Sequence, residues 1–156
     1  MNNKTNIGYT TGVFDLFHIG HLNILKRAKG MCDELIVGVT TDRLTHELKG
    51  KGPIIPYEER AAIVNDIRYA DRVVPQDKID EIRDWESLGF DIIFKGSDWK
   101  GTEKWNALEK EFEKRGVKVV YFPYTKTTSS TIIREDLYNI MEENGRTETH
   151  KQTGSE

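Results

Sequence analysis

The amino-acid sequence predicts a Rossmann-like α/β fold, a doubly wound domain in which helices cover both faces of a five-stranded parallel sheet. Five short runs of apolar or β-branched residues lack helical spacing and are typical of buried strands. Segments with apolar residues three and four positions apart, as on one face of a helix, alternate with these runs. The predicted strands are Ile7–Thr11, Leu35–Val39, Arg72–Val74, Ile92–Phe94 and Val117–Phe122.

Helices are predicted wherever apolar residues recur at helical spacing between the strands. Gly30, Gly89 and Gly116 stand where three of these helices should end, and we expect them in the left-handed conformation that glycine adopts at little cost. A ligand is expected beyond the carboxyl ends of the strands. The helical apolar positions are Leu22, Leu25 and Ala28; Ala62, Ile63 and Ile67; Ile79, Ile82 and Trp85; Trp105, Leu108 and Phe112; and Ile133, Leu137 and Met141.

The length of 156 residues is that of one ordinary domain with a single hydrophobic core. From Glu143 onward the chain is polar, with too little apolar surface to offset the loss of conformational entropy on folding. We therefore predict one folded domain over residues 1–142 and a disordered polar tail over residues 143–156.

Charge and composition exclude several classes of partner and site. Lys and Arg number 23 and Asp and Glu 26, which gives a net charge of −3 without the basic block that would indicate nucleic-acid binding. No run of about 18 apolar residues and no apolar leader segment is present, so we expect a cytoplasmic protein without a membrane partner. Cys32 is the single cysteine, which excludes an internal disulfide and a thiolate metal cluster.

The segment after the first predicted strand carries the strongest functional pattern. A glycine turn leads directly into a helix whose first turn places His18 and His21 on one face. Gly20 between them lets a ligand approach the backbone closely, and the free N–H groups of a helix start favour an anion. Either imidazole can donate a hydrogen bond to a phosphate oxygen. The pattern therefore predicts a polyphosphate site.

Two other interpretations of these histidines are open at this point. His18 and His21 can be surface histidines or core histidines whose hydrogen bonds are satisfied. They can also bind a metal ion, although no third histidine or cysteine lies nearby in the sequence to complete a zinc site. The position of the whole segment between a strand and a helix favours the phosphate-binding interpretation.

This segment resembles the signature of the cytidylyltransferase-like nucleotidyltransferases, and most of all that of the bacterial glycerol-3-phosphate cytidylyltransferases. The shared pattern is Gly-x-Phe-Asp-x-x-His-x-Gly-His at residues 12–21, and the similarity extends from about Ile7 to Arg134. The resemblance implies a HIGH-type nucleotidyltransferase fold in which His18 and His21 are catalytic and contact the nucleotide phosphates. The further nucleotide contacts that we predict are Thr11, Gly12, Val13, Phe14, Asp15 and Gly20.

Cationic residues in the middle of the chain extend the resemblance. Lys49-Gly50-Lys51 matches a loop that contacts phosphates in the family, so we expect Lys49 to be catalytic and Lys51 to bind the acceptor phosphate. Arg60 matches the arginine of a family Tyr-Glu-x-Arg segment and is a second candidate for that phosphate, together with Asp15. Solvated lysines and a helix-surface ion pair of Arg60 are the alternatives.

The segment after the fourth strand is a candidate base site. There Asp98 can accept a hydrogen bond from an exocyclic base amine, and Trp99 can supply an aromatic wall. Adenine carries such an amine too, so these residues leave cytosine and adenine open, whereas the resemblance favours cytosine. We predict nucleotide contacts by Gly96, Asp98 and Trp99; capping by Asp98 and packing by Trp99 are the alternatives. Ser97 departs from the family, which commonly has a second aspartate there.

The last predicted helix begins with hydroxyl residues whose side chains and backbone amides form a second phosphate-binding end. This segment resembles the family's Arg-Thr-Glu-Gly-Ile-Ser-Thr-Thr signature, but Tyr124 replaces the arginine and Lys126 the glutamate. We expect Lys126 to act as a catalytic cation on the β and γ phosphates. Helix capping by Thr128 or Ser129 is compatible with that role. The predicted nucleotide contacts are Thr128, Ser129, Ser130 and Thr131.

The resemblance implies transfer of CMP from CTP to a small phosphorylated acceptor, glycerol 3-phosphate or a related polyol or sugar phosphate, with release of pyrophosphate. Mg²⁺ is expected on the nucleotide phosphates without a side-chain ligand, and the resemblance implies a homodimer. An adenylyltransferase of the same superfamily and a regulatory nucleotide-binding module without catalysis are the alternatives. The absence of a Gly-x-Gly-x-x-Gly run after the first strand disfavours a redox Rossmann domain.

Overall fold

The computed structural model describes residues 4–123 and 130–152. Its strands are β1 Ile7–Gly12, β2 Glu34–Thr40, β3 Arg72–Gln76, β4 Ile92–Gly96 and β5 Lys118–Phe122. Its helices are α1 Ile19–Lys29, α2 Asp42–Lys49, α3 Tyr57–Asn65, α4 Glu81–Leu88, α5 Glu103–Lys114 and α6 Ser130–Gln152, and a short 3₁₀ turn spans Ser97–Trp99.

The five strands form one parallel sheet in the order β3-β2-β1-β4-β5. The predicted fold class is therefore confirmed, because strands alternate with helices in a parallel sheet. From β1 the chain adds β2 and β3 on one side and β4 and β5 on the other. Gly8 of β1 pairs with Leu35 of β2 on one side and with Ile92 of β4 on the other. The crevice at the carboxyl ends of β1 and β4 is the switch point where folds of this kind bind ligands.

Two hydrophobic clusters cover the two faces of the sheet. Successive residues of a strand point to opposite faces, so Val37 enters one cluster and its neighbour Ile36 the other. Burial of each large apolar side chain contributes about 1.5–3 kcal/mol, which fixes α1 and α3 on one face and α5 on the other. The first cluster includes Leu25, Ala28, Leu35, Val39, Val64 and Phe94, and the second includes Tyr9, Phe90, Ile93, Trp105, Phe112 and Val117.

The helix-ending glycines follow the prediction at two of three positions. Gly89 and Gly116 have the left-handed φ values of 66° and 71°. The prediction for Gly30 is wrong, because its φ is −64° and its N–H continues the helical hydrogen bonding to Lys26 and Ala28 carbonyls. The next two residues make further helix-like turns, Met31 N–H to Ala28 O and Cys32 N–H to Lys29 O. Since the chain keeps its right-handed turn there, no left-handed residue is required.

Helix α6 extends to Gln152, so its backbone enters the segment for which we predicted a disordered tail from residue 143. Glu143 and Asn144 are exposed on it, and residues 153–156 lie outside the described residues. The division of the chain at residue 142 stays a prediction. Within the described ranges, no helix is both long and apolar enough to cross a membrane.

Candidate active site

The start of α1 holds the two histidines in a fixed arrangement. His18 immediately precedes the helix, and its Nδ1 accepts a hydrogen bond from the Gly20 N–H at 3.0 Å. His21 Nδ1 accepts in turn from the His18 N–H at 3.3 Å. These bonds satisfy two N–H groups that have no partner inside the helix, as in a capping box. Because each Nδ1 is an acceptor, each neutral ring carries its proton on Nε2, from which it can donate to a ligand.

The environment keeps this histidine pair neutral. The two rings are stacked with centroids 3.9 Å apart. Burial holds the pKa of His18 below its ordinary value. Burial, together with the charges of His18 and Lys49, lowers the pKa of His21 to about 4, and the opposing effect of Asp15 does not cancel the shift. At neutral pH the site therefore offers two neutral hydrogen-bond donors beside the helix start.

The loop between β1 and α1 adopts an unusual backbone conformation. Phe14 and Leu16 have φ values of 54° and 52°, a region that residues with side chains rarely adopt. The buried Phe14 ring lies against Gly12, where an added Cβ would come within 3.0 Å of it. The same ring meets His21 edge-on at a centroid distance of 5.3 Å. Packing around Phe14 therefore fixes a strained loop in contact with the catalytic candidates.

A cavity of about 140 Å³ lies at the carboxyl ends of β1 and β4. Its position is the switch point of the sheet, where the fold class predicts a ligand. The predicted site residues that line it are Thr11, Gly12, Val13, Phe14, His21, Gly96 and Trp99. Four further residues line it that the sequence did not single out: Thr10, Ile24, Lys95 and Phe122. The structure therefore brings the β1–α1 loop and the segment after β4 to one cavity.

Of the two predicted base-binding side chains in the 3₁₀ turn after β4, one lines the cavity and the other does not. Trp99 lines the cavity, and 43% of its surface is exposed. Asp98 is exposed in the same turn but does not line the cavity. An aromatic wall for a base is thus present, whereas a contact by Asp98 stays a prediction.

Asp15 joins three parts of the chain. Its buried carboxylate accepts hydrogen bonds from the Ile54 N–H at 2.8 Å and the Ile55 N–H at 2.9 Å, and it also pairs with Arg134 of α6. Burial alone would raise the pKa of Asp15, but these three donors hold it below its ordinary value. Since the carboxylate is occupied in this way, Asp15 positions the loop after α2 and the α6 helix beside the histidines.

The expected phosphate contact of Arg60 is corrected by the structure. Its side chain is fully buried, and its guanidinium donates to the carbonyls of Ile55, Val13 and Thr40, each at 2.7 Å. It also pairs with Asp42 Oδ1 at 2.6 Å. The alternative, a helix-surface ion pair, describes only the contact with Asp42. The buried guanidinium also links α3 to the carbonyls of Val13 and Thr40 at the ends of β1 and β2. It is a positioning residue.

Three cationic side chains, Lys49, Lys51 and Arg134, lie at the end of α2, in the loop after it and on α6. Lys49 ends α2, and burial together with the charge of Arg134 lowers its pKa, although Asp15 opposes this effect. Lys51 and Arg134 both line an open groove of about 820 Å³ between the loop after α2 and α6. Sequence reasoning missed Arg134. Its position one turn after the start of the last helix is the only feature of the sequence that could have indicated a role, because its partner Asp15 lies far away in the chain. The arrangement concentrates positive charge beside the histidines.

Lys95 is the other functional candidate that the sequence analysis missed. It ends the apolar run Ile92-Ile93-Phe94, and a lysine at the carboxyl end of a buried strand is the signal that could have identified it. Its ammonium lies 5.0 Å from the centroid of the Trp99 ring and 5.6 Å from that of Trp105. Burial lowers the pKa of Lys95, with Glu81 opposing and Lys104 adding to the shift.

The predicted site continues into the segment between β5 and α6. Lys126, Thr128 and Ser129 lie outside the described residues. Ser130 and Thr131 begin the backbone of α6, in agreement with a helix start at this point. In the part of the chain that the structure describes, no three His, Cys, Asp or Glu side chains are grouped so that they could hold a metal ion.

Comparison with known proteins identifies the family. Residues 9–136 match the model of the cytidylyltransferase-like family. The chain belongs to this family. A cytidylyltransferase-like relative from Staphylococcus aureus, glycerol-3-phosphate cytidylyltransferase, is 35% identical over 133 residues, which cover 83% of this chain and 92% of that protein.

Two further comparisons show the range of proteins that this chain is similar to. FAD synthase from Archaeoglobus fulgidus is 37% identical over 108 residues, covering 69% of this chain and 75% of that protein. The crystal structure of a lipopolysaccharide core biosynthesis protein from Thermoplasma volcanium superposes with a TM-score of 0.66 at 32% identity, over 80% of this chain and all of that one. The family and the fold agree with the geometry of the site.

Proposed function

We propose that this protein transfers CMP from CTP to a small phosphorylated acceptor and releases pyrophosphate. The observation that carries the proposal is the pair of neutral histidines held by their Nδ1 atoms at the start of α1: His21 lines the switch-point cavity, and the His18 ring stacks on it. Their Nε2–H groups and the helix start suit a polyphosphate. Membership of the cytidylyltransferase-like family supports nucleotidyl transfer, and the similarity to glycerol-3-phosphate cytidylyltransferase supports CTP and a polyol or sugar phosphate.

The reaction needs no protein nucleophile. An oxygen of the acceptor phosphate attacks the α phosphorus of CTP, the bond from that phosphorus to the bridging oxygen of the β phosphate breaks, and pyrophosphate leaves with the electron pair. The acceptor phosphate is already anionic at neutral pH, so a general base contributes little. Catalysis depends on alignment and on donors that meet the charge developing on the α and β phosphates. His18 and His21 are placed for this task.

The acceptor phosphate is expected on the cationic side of the histidines. Lys49, Lys51 and Arg134 surround the space between α2, the following loop and α6, and Asp15 fixes that loop. A cluster of cations lowers the repulsion between an incoming phosphate and the triphosphate. Lys126, which lies outside the described residues, is proposed as a further cation on the leaving pyrophosphate.

Magnesium is proposed as the ion that accompanies CTP. The site offers it few hard ligands: the Asp15 carboxylate is bound by two backbone amides and Arg134, and the other charged side chains that act on this group of residues are the cations Lys49 and Arg134. This donor set suits an ion held by phosphate oxygens and water. When bound, Mg²⁺ neutralises part of the charge on the phosphates.

Adenylyl transfer is the second candidate, and the similarity to FAD synthase favours it. Trp99 gives an aromatic wall to either base and therefore does not choose between them. A regulatory module without catalysis remains the alternative that the changed residues Tyr124 and Lys126 suggest.

The proposal includes a homodimer located in the cytoplasm. Helix α6 exposes apolar side chains at helical spacing, which is unusual for a surface that stays in water. Fractions of 44% to 71% of their surfaces are accessible in Leu137, Tyr138, Ile140 and Met141. Light scattering tests this assignment: we expect the mass of a dimer, and the mass of one chain for a variant with Leu137→Glu and Met141→Glu.

The decisive experiment is pyrophosphate release with magnesium, with CTP, ATP, UTP or GTP offered against a panel of phosphorylated acceptors that includes glycerol 3-phosphate. Release that requires both CTP and one acceptor is the expected result. Preference for ATP would replace the proposal by adenylyl transfer, and binding of CTP without release for any acceptor would identify the regulatory module.

A further inference from the structure

Lys95 lies in the nucleotide cavity, but phosphate binding does not explain it. The residues that line the cavity follow the order of the sheet, from His21 on α1 across β1 to Trp99 after β4 and Phe122 at the end of β5. Since the proposed triphosphate lies at the start of α1, the nucleoside must extend toward β4 and β5. Lys95 therefore stands at the nucleoside end of the cavity.

The surroundings of Lys95 leave its ammonium without an acceptor. Trp99 and Trp105 lie 5.0 Å and 5.6 Å from it, and an aromatic face attracts a cation but accepts no strong hydrogen bond. Glu81 is the nearest acidic influence, but its carboxylate is paired with Lys104 at 3.0 Å. Among the residues described by the structure, no carboxylate or carbonyl accepts a hydrogen bond from Lys95. The Lys95 Nζ is not among the buried polar atoms that lack a partner, so solvent reaches the ammonium, and an acceptor on a bound base would take the place of water there.

We infer that Lys95 donates to the ring nitrogen on the pairing edge of the bound base and so selects bases in which that nitrogen is an acceptor that carries no hydrogen. Cytosine N3 and adenine N1 are acceptors, whereas uracil N3 and guanine N1 carry a hydrogen and are donors. An ammonium that is favourable for the first pair faces an N–H in the second, and the mismatch leaves a buried donor without a partner. The inference rests on the proposed function, because it assumes that a nucleotide occupies the cavity.

The two tryptophans explain how a flexible side chain can be selective. Trp105 is buried, with 1% of its surface exposed, and Trp99 forms part of the cavity wall. Contact with both rings restricts the lysine stem, so that less conformational entropy is lost when the ammonium meets a base. The indole of Trp99 then serves as a wall for the base, and Lys95 reads its edge.

The test measures binding of CTP, ATP, UTP and GTP by calorimetry, without acceptor, to the wild-type protein and to Lys95→Met. Methionine keeps an unbranched apolar stem against the tryptophans and removes the donors together with the positive charge. Loss of the charge alone would lower all four affinities equally, so the change in preference among the nucleotides is the readout that tests the hydrogen bond. Affinity for CTP or ATP, whichever the wild type prefers, should fall about ten- to a hundredfold. The preference for CTP over UTP and for ATP over GTP should shrink by a similar factor. Lys95→Arg should retain most of the preference.

Lys114→Met is the matched control, because Lys114 makes an exposed ion pair with Glu111 on α5 and does not line the cavity. It should leave all four affinities within about twofold, and melting curves should show that each variant is folded. Equal losses for all four nucleotides in Lys95→Met, or no loss, would overturn the inference. The choice of the wild type between CTP and ATP tests the proposed function separately, since both carry the acceptor nitrogen that Lys95 is expected to read.

Discussion

Two imidazole rings stacked 3.9 Å apart would repel each other if both were protonated, and this repulsion adds to the effect of burial. The same arrangement that keeps the rings neutral fixes their protons on Nε2, because each Nδ1 accepts from the backbone. At the scale of the residue, the histidines therefore act as oriented donors, and a change in pH has consequences for stability as well as for activity.

His21 should make the protein less stable as the pH falls from about 6.5 toward 4. Its pKa in the folded protein is about 4, whereas an unfolded histidine has a pKa of about 6.5, so the unfolded chain binds more protons in this window. The stabilising contribution is complete above the unfolded pKa and is lost on acidification. Urea unfolding of wild type and His21→Asn at several pH values measures it: the variant should show a shallower pH dependence.

His21→Asn should also lower kcat for pyrophosphate release by about a hundredfold or more, as expected for the loss of one donor to a developing charge. An unchanged rate would contradict the assignment of His21, whereas a changed rate with the same pH slope of stability would contradict only its buried neutral state.

Arg60→Met should destabilise the fold by about 3 kcal/mol or more. The substitution leaves the carbonyls of Val13, Thr40 and Ile55 without their donor and removes the partner of Asp42. Urea unfolding without nucleotide gives the value. Arg43→Met is the control, since Arg43 makes an exposed pair with Glu47 on α2 and its loss should change stability by less than about 0.5 kcal/mol. A fully stable Arg60→Met protein with a raised KM would restore the phosphate-binding interpretation.

At the scale of the element, the end of α2 sets the position of two lysines. Gly50 ends this helix with a left-handed φ of 76°, and its N–H closes the last turn on His46. Lys49 and Lys51 flank it, so the direction of both side chains depends on this one backbone conformation. A residue that resists the conformation should move both cations away from the phosphates.

Gly50→Ala should lower stability by about 1 kcal/mol and raise KM for the acceptor, whereas Gly50→Asn should do so less, because asparagine tolerates the left-handed conformation. The comparison isolates backbone strain, since a Cβ at Gly50 would have no neighbour within 4 Å. Melting curves and acceptor titrations of both variants measure it. Equal behaviour of the two variants would show that the conformation of Gly50 is not what positions the loop.

The sequence was most informative where a local pattern determines the structure. The five strands follow from apolar periodicity, and the strand-to-helix junction around His18 follows from a motif, although the left-handed residues of that loop are Phe14 and Leu16 and not the glycine. Arg60 was misjudged because its acceptors lie far along the chain, at Val13 and Thr40. Lys95 and Arg134 were missed for the same reason: each gains a function from residues that tertiary folding brings to it.

At the scale of the whole molecule, Arg134 is the last described residue of the candidate site, well before the end of the chain. Arg134 of α6 is paired with Asp15 beside the histidines. Residues 143 and 144, further along the same helix, are exposed. A chain ending at residue 142 should therefore retain the melting temperature and the rate of pyrophosphate release within about twofold. A chain ending at residue 132, which lacks Arg134, should lose activity. If the chain that ends at residue 142 failed to fold, the domain boundary would have to be moved toward Gln152.

The pairing of β1 with β4 has a consequence for how the protein comes into being. The Ile7 N–H bonds the carboxylate of Asp91, 84 residues further along the chain, and the two strands meet in register from Gly8 and Ile92. During synthesis the histidine segment leaves the ribosome long before the strand that completes its cavity. Contacts of such separation form slowly, so the nascent amino-terminal half should have no affinity for nucleotide, and nucleotide should act as a ligand that captures the chain only after its central strands have met.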